Sequence, residues 1–334
     1  MLLSTQKSAF KPNRRIKQFA SATLGTMAIA LSMWVNPAFA DPFRTTNTRE
    51  FDSQTEAAFD AMFVQGNYRA AERHLQAAAS DEPMIHAMKA SLAYLDEDWE
   101  ALSENARLTL ESADRLIADD PLRGYLYTAI GHFMEGAYVL STQGTVRATP
   151  TVLSKLRQVF DNLGQAESID STDAELNLIK GYMDLMLAVN LPFSSPDQAI
   201  ERLQSYGAPV YLVNRGVAIA YRDLRQEDKA LEYVDKALQE TPDNPDLYYL
   251  KAQILRLQGN LEESEQFFQQ ALRKQSQLPD SLAEQVAYEF CRTRDEIRGQ
   301  DRDCHRWARQ RIQVGEAENE TDDVNEQSYR IPSN

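Results

Sequence analysis

Residues 211–244 and 245–278 align with each other at a spacing of 34 and without a gap. Self-similarity at a fixed step constrains the fold more than any other feature of this chain. A short repeated unit cannot bury an apolar face alone, so it must stack on its neighbours. In this alignment Ala218 falls on Ala252, Tyr221 on Leu255, Ala230 on Ser264, Val234 on Phe268 and Ala237 on Ala271. Each unit holds two apolar-periodic segments about a dozen residues long, divided by polar breaks at 224–228 and at Gln258-Gly259-Asn260. Thr241-Pro242-Asp243-Asn244-Pro245 closes the first unit and Leu278-Pro279-Asp280 the second. The pattern is helix, turn, helix, turn, repeated.

Small residues recur at the eighth, twentieth and twenty-seventh positions (Ala218, Ala230, Ala237; Ala252, Ser264, Ala271), where paired helices approach most closely. Larger apolar residues such as Tyr221, Leu231, Val234, Leu255, Phe267 and Phe268 fill the space between them. Pro242 stops the second helix, because proline lacks a backbone donor and clashes with the preceding turn. On these positions the chain resembles the tetratricopeptide repeat (TPR) family. The resemblance implies an all-α fold, a right-handed helical solenoid of antiparallel helix pairs. The layout of leader plus repeats also looks like a group of exported cyanobacterial TPR proteins, which bears on localisation alone.

A third copy lies in 52–85, where Phe59, Met62, Gly66-Asn67-Tyr68, Ala71, Leu75, Ala78 and Pro83 take the equivalent slots. The stretch 86–116 reads as a degenerate fourth, its register slipping by about three residues. N-terminal TPR-like repeats are therefore expected over 52–120, after a linker at 41–51. Residues 121–207 are expected to form irregular helical pairs of the same solenoid, with helices around 152–166, 174–189 and 197–206. Ser194-Ser195-Pro196-Asp197 reads as the cap of the last of these. Two regular repeats over 208–278 and a helical cap over 279–313 follow. The acidic residues of 314–334, with few apolar side chains, read as a disordered tail.

The first 40 residues hold Lys7, Lys11, Arg14, Arg15 and Lys17 and no acid. An apolar run from Phe19 to Val35 follows, then Asn36-Pro37 and the small-x-small end Ala38-Phe39-Ala40. That is the pattern of a cleavable secretory signal with its cut after Ala40; an organelle transit peptide is the rival reading. Ser21, Thr23, Thr26 and Ser32 make the run a poor permanent membrane span. The expected destination is the periplasm, with a thylakoid or other organelle lumen as the alternative. Losing the five cations takes the net charge from −15 to −20. A chain this acidic is repelled by nucleic acid and by anionic membrane surfaces, so neither is an expected partner. Cys291 and Cys304 are the only cysteines, and in an exported chain an even pair is expected to form a disulfide. A structural zinc site on Cys291, Cys304 and His305 lacks a fourth nearby ligand, so no metal is expected.

No HExxH, Gly-x-Ser-x-Gly, phosphate-cradling loop or Cys/His cluster appears, so neither catalysis nor a cofactor is expected. In TPR solenoids the first helix of each pair lines a concave face, with positions 2, 5, 9 and 12 pointing inward. Carried over, the resemblance places Leu212, Arg215, Ile219, Arg222, Asp246, Tyr249, Gln253 and Arg256 there, with Ser53, Glu56, Asp60 and Phe63 from the first repeat. Arg215, Ile219, Arg222, Tyr249, Gln253 and Arg256 form the candidate binding set for a protein or peptide. Arginine forks suit a carboxylate bidentately. The same arginines can instead pair with neighbouring acids such as Asp223, Glu227 and Asp246. Ile219 and Leu250 stand where the family's carboxylate clamp has Lys and Asn, so capture of a C-terminus does not follow. An adaptor is the leading class. A structural component of an envelope or transport assembly is the first alternative, and an enzyme hidden in the irregular middle is the second.

Overall fold

The computed structural model describes residues 41–45, 48–79, 81–190 and 196–313, all within the compact unit that begins at Ala40. The expected leader, acidic tail and Ser194-Ser195 cap lie outside the described residues. Among the described residues there is no strand and no helix long and apolar enough to cross a membrane.

The helices run α1 Ser53–Phe59 (continued by a π-helical turn, Asp60–Val64), α2 Tyr68–Ala77, α3 Pro83–Leu95, α4 Trp99–Leu116, α5 Pro121–Gln143 and α6 Thr145–Ile169. They continue as α7 Ala174–Asn190, α8 Pro196–Tyr206, α9 Val210–Asp223, α10 Glu227–Glu240, α11 Pro245–Gln258, α12 Leu261–Leu272, α13 Asp280–Arg298 and α14 304–313. Consecutive helices pack on one another throughout. The fold is an all-α, TPR-like solenoid of helix pairs, α1/α2 through α13/α14.

Local chemistry sets the starts. Glu82-Pro83, Asp120-Pro121 and Asn244-Pro245 each open the first helix of a pair, the side chain before the proline capping a free amide. Proline suits that first position because its missing N–H would have no helical partner. The second pair opens at Pro83, three residues ahead of a 34-residue step from 52, which accounts for the slipped register. α10 stops at Glu240, just ahead of Pro242.

In the regular repeats Ala218, Ala230, Ala237, Ala252, Ser264 and Ala271 are all fully buried. The Ser264 hydroxyl donates to the Ala252 carbonyl at 2.7 Å, a contact that only two small residues permit. At the C-terminal end Cys291 and Cys304 form a disulfide that ties α13 to the start of α14. His305 stacks on Tyr288 at 4.1 Å.

The first pair does not stand free at one end. The turn Gly66 lies against the start of α11, and Gly66 has φ +62°; a Cβ there would meet Asn244 Oδ1 at 2.5 Å. The Asn244 amide donates to the Phe63 and Val64 carbonyls, and its oxygen caps the Asp246 N–H. Arg69 pairs with Asp280. The N-terminal pair therefore docks onto the sixth and seventh pairs, and the superhelix closes on itself across its inner face.

Candidate binding groove

The inner face has two parts with different chemistry. The first belongs to the regular repeats and contains the residues singled out from the sequence. The Arg215 guanidinium reaches Asp246 at 3.3 Å, and the Tyr68 hydroxyl donates to the same carboxylate. Asp246 and Tyr68 are both buried, so the first pair seals this point. Burial pushes the Asp246 carboxyl up, while Arg215 and the Tyr68 hydroxyl pull it down; the net displacement is upward. Burial also lifts the Tyr68 phenol far above the usual tyrosine range, with Asp246 adding to it.

The other predicted residues are engaged close by. Arg222 pairs with Asp223 at 2.8 Å and donates to Gln253 at 2.7 Å. Gln253 and Tyr249 both donate to Glu289 on α13. Arg256 pairs with Glu296, also on α13. Ile219 packs against the Ala218–Val234–Leu247 cluster, and Leu212 is buried in the core. Arg215, Arg222, Tyr249, Gln253 and Arg256 thus share one inner surface, joined to the next pair by ion pairs and hydrogen bonds.

The second part is an apolar cleft of about 640 Å³ enclosed by the first pair, α3, α5, α6, α7 and α9. Its walls include Phe63, Tyr94, Phe133, Leu140, Leu156 and Leu187, and Arg215 stands at its edge. Tyr94 is 46% and Leu140 44% exposed, so large apolar side chains face open space here. The polar rim is built from one cluster. Glu135 accepts from His132 Nδ1 at 3.0 Å and from Lys155 Nζ at 2.5 Å. The His132 hydrogen bond and then the Lys155 ammonium hold the Glu135 carboxyl below the usual carboxylate range. Of the six residues drawn from the repeat pattern, Arg215 alone reaches this cleft.

A buried cluster of titratable groups also exists in the middle region, the feature that would mark a hidden catalyst. Glu175, fully buried, accepts from the Tyr127 hydroxyl at 2.7 Å, Arg123 Nε at 3.0 Å and Arg49 Nη1 at 3.2 Å. Arg123 also makes a bidentate contact with Glu82 at 3.0 and 2.6 Å, and Arg44 joins Asp41 and Asp173. Burial opposes the Arg123 charge, but Glu175, Tyr127 and Glu82 more than offset it and hold the guanidinium protonated. The network fastens Asp41, Arg44 and Arg49 to α5 and α7. Its groups satisfy one another, and none of them lines the apolar cleft.

A family model described as N-terminal acetyltransferase A, auxiliary subunit, matches residues 133–276, and that family is a TPR-containing helical one. The match runs from the middle of α5 into the last of the regular repeats, and takes in the α6, α7 and α9 walls of the cleft but not the first pair or α3. No curated protein matches the chain. The protein is a TPR-like helical repeat protein.

Proposed function

We propose that this chain is an exported scaffold that holds a protein or peptide partner in its inner groove, with the apolar cleft as the principal contact. The observation that carries this reading is the cleft itself. A folded chain that leaves Tyr94 and Leu140 open beside Phe133 and Leu156 keeps an apolar surface of the kind that anchors a partner's side chains. A groove with apolar walls suits an amphipathic helix or an extended apolar segment. The description of the matching family, an auxiliary subunit, supports work done through protein partners. The buried Glu175 network supports the same choice over an enzyme, because its titratable groups are paired with one another away from the cleft. Export to the periplasm is supported by the basic and apolar leader, and a disulfide on the cap suits an oxidising compartment.

Affinity capture from native envelope extract, with residues 41–334 as bait, tests the reading. Tyr94→Glu with Leu140→Glu changes two exposed cleft side chains, and Arg222→Glu with Arg256→Glu changes the polar part. The expected result is a partner lost from the cleft variant and kept by the arginine variant, with both baits melting like the parent. A partner kept by the cleft variant and lost by the arginine variant would move the site onto the regular repeats.

A further inference from the structure

The outer side of the solenoid carries a second surface, independent of the groove. Helix α6 is 25 residues long, about 37 Å at 1.5 Å per residue. It packs heavily on α5 but only lightly on α7. Its outward side chains repeat at alternating steps of four and three: Val146, Pro150, Leu153, Arg157, Phe160 and Gly164, all exposed. Val146 is 92% and Leu153 61% exposed, well beyond what a solvated helix face needs from large apolar residues. Nothing lies within 4 Å of a Cβ built on Gly164. Beside this stripe, seven residues apart, run Arg147, Ser154, Asp161 and Ser168. Among the described residues no ion pair engages Arg147 or Asp161.

We infer that this stripe is the interface of a two-fold dimer, with α6 of one copy lying antiparallel on α6 of a second. The stripe complements its own reverse. In antiparallel packing, seam positions meet in layers and the flanking positions on one side meet each other. About an axis near residue 155, Val146 faces the partner's Gly164, Phe160 faces the partner's Pro150, and Leu153 lies along the stem of the partner's Arg157. Each large apolar residue at one end meets a small or compact one from the other. The same register brings Arg147 against the partner's Asp161 twice, once on each side of the axis, and Ser154 against the partner's Ser154. A parallel arrangement would set Val146 on Val146 and Arg147 near Arg147, with no opposite charge to answer it. Self-complementarity of shape and charge under one two-fold operation is the requirement for a closed isologous dimer. A single helix pair is a small interface, so the dimer is concentration-dependent.

Sedimentation equilibrium of residues 41–334 across a dilution series tests this. The parent is expected to move from monomer to dimer, and Leu153→Glu, a change at an exposed position, to remain a folded monomer with an unaltered circular-dichroism melt. Asp161→Arg alone and Arg147→Asp alone each bring like charges together and are expected to weaken the dimer. Mixing those two variants restores opposite charges at both contacts, so heterodimers should form at concentrations where neither variant dimerises by itself. A parent that stays monomeric overturns the proposal, even where the stripe proves to hold a different protein. A mixture of the two charge variants that fails to associate overturns the antiparallel register.

Discussion

The regular repeats of 211–278 and the irregular middle of 121–207 obey the same pairing rule, yet their inner faces do opposite things. In the repeats, alanines and one serine let helices of 12 to 14 residues approach, and each inner polar side chain reaches the next pair. Arg215 meets Asp246 and Arg222 meets Gln253, both 31 residues on, so adjacent units are joined edge to edge. In the middle the close contacts fall to glycine. A Cβ on Gly131 would sit 2.7 Å from Leu110, and one on Gly181 would sit 2.5 Å from Leu203. The helices there are longer, 23 and 25 residues for α5 and α6, and their inner side chains line the apolar cleft. A consensus repeat is tuned for stacking. Departure from the consensus opens a surface, which is why the more recognisable half of the chain is the less available for binding.

If the middle is held by its buried charges rather than by repeat stacking, the largest effect should come from breaking that network. Glu175→Ala leaves Arg123, only 3% exposed, without its buried partner. A cost of about 3–5 kcal/mol follows, read as a lower urea midpoint. A loss below about 1 kcal/mol would mean the network is incidental to the middle region. A smaller but clear effect is expected from the regular half. Ala237→Trp forces a large side chain into a fully buried contact and should cost about 2 kcal/mol or more. A melting curve that does not move would show that the small-residue positions are not where these helices meet, and the contrast with the glycine contacts would go.

Much of the fold was legible because it repeats. The 34-residue step, the helix stop at Pro242, and the small residues at fixed positions each carry a local physical meaning that needs no long-range knowledge. The Cys291–Cys304 link was legible from count and expected compartment. The groove was legible only in part. The 31-residue step from Arg215 to Asp246 and from Arg222 to Gln253 lies in the repeat register, so mutual pairing could be anticipated. Tyr68 reaches Asp246 from 178 residues away, and no periodicity announces that. The cleft was hidden for a related reason. Phe63, Tyr94, Phe133, Leu140 and Leu187 come from three helices of unequal length and a turn. Phe63 was placed on the inner face by the repeat pattern, but the other four read as ordinary core in their own segments, and the closure of the first pair onto α11 and α13 completes the space they line.

The central claim is that a partner is held at the apolar cleft of the middle region. It is tested most directly by site-specific photo-crosslinking in the native cell envelope, with a photoreactive phenylalanine analogue placed at Leu140 in one variant and at Arg256 in another. The account predicts a discrete crosslinked protein from position 140, abolished by Tyr94→Glu, and none from position 256. A crosslink formed at 256 and absent at 140 would contradict it and return the binding site to the regular repeats.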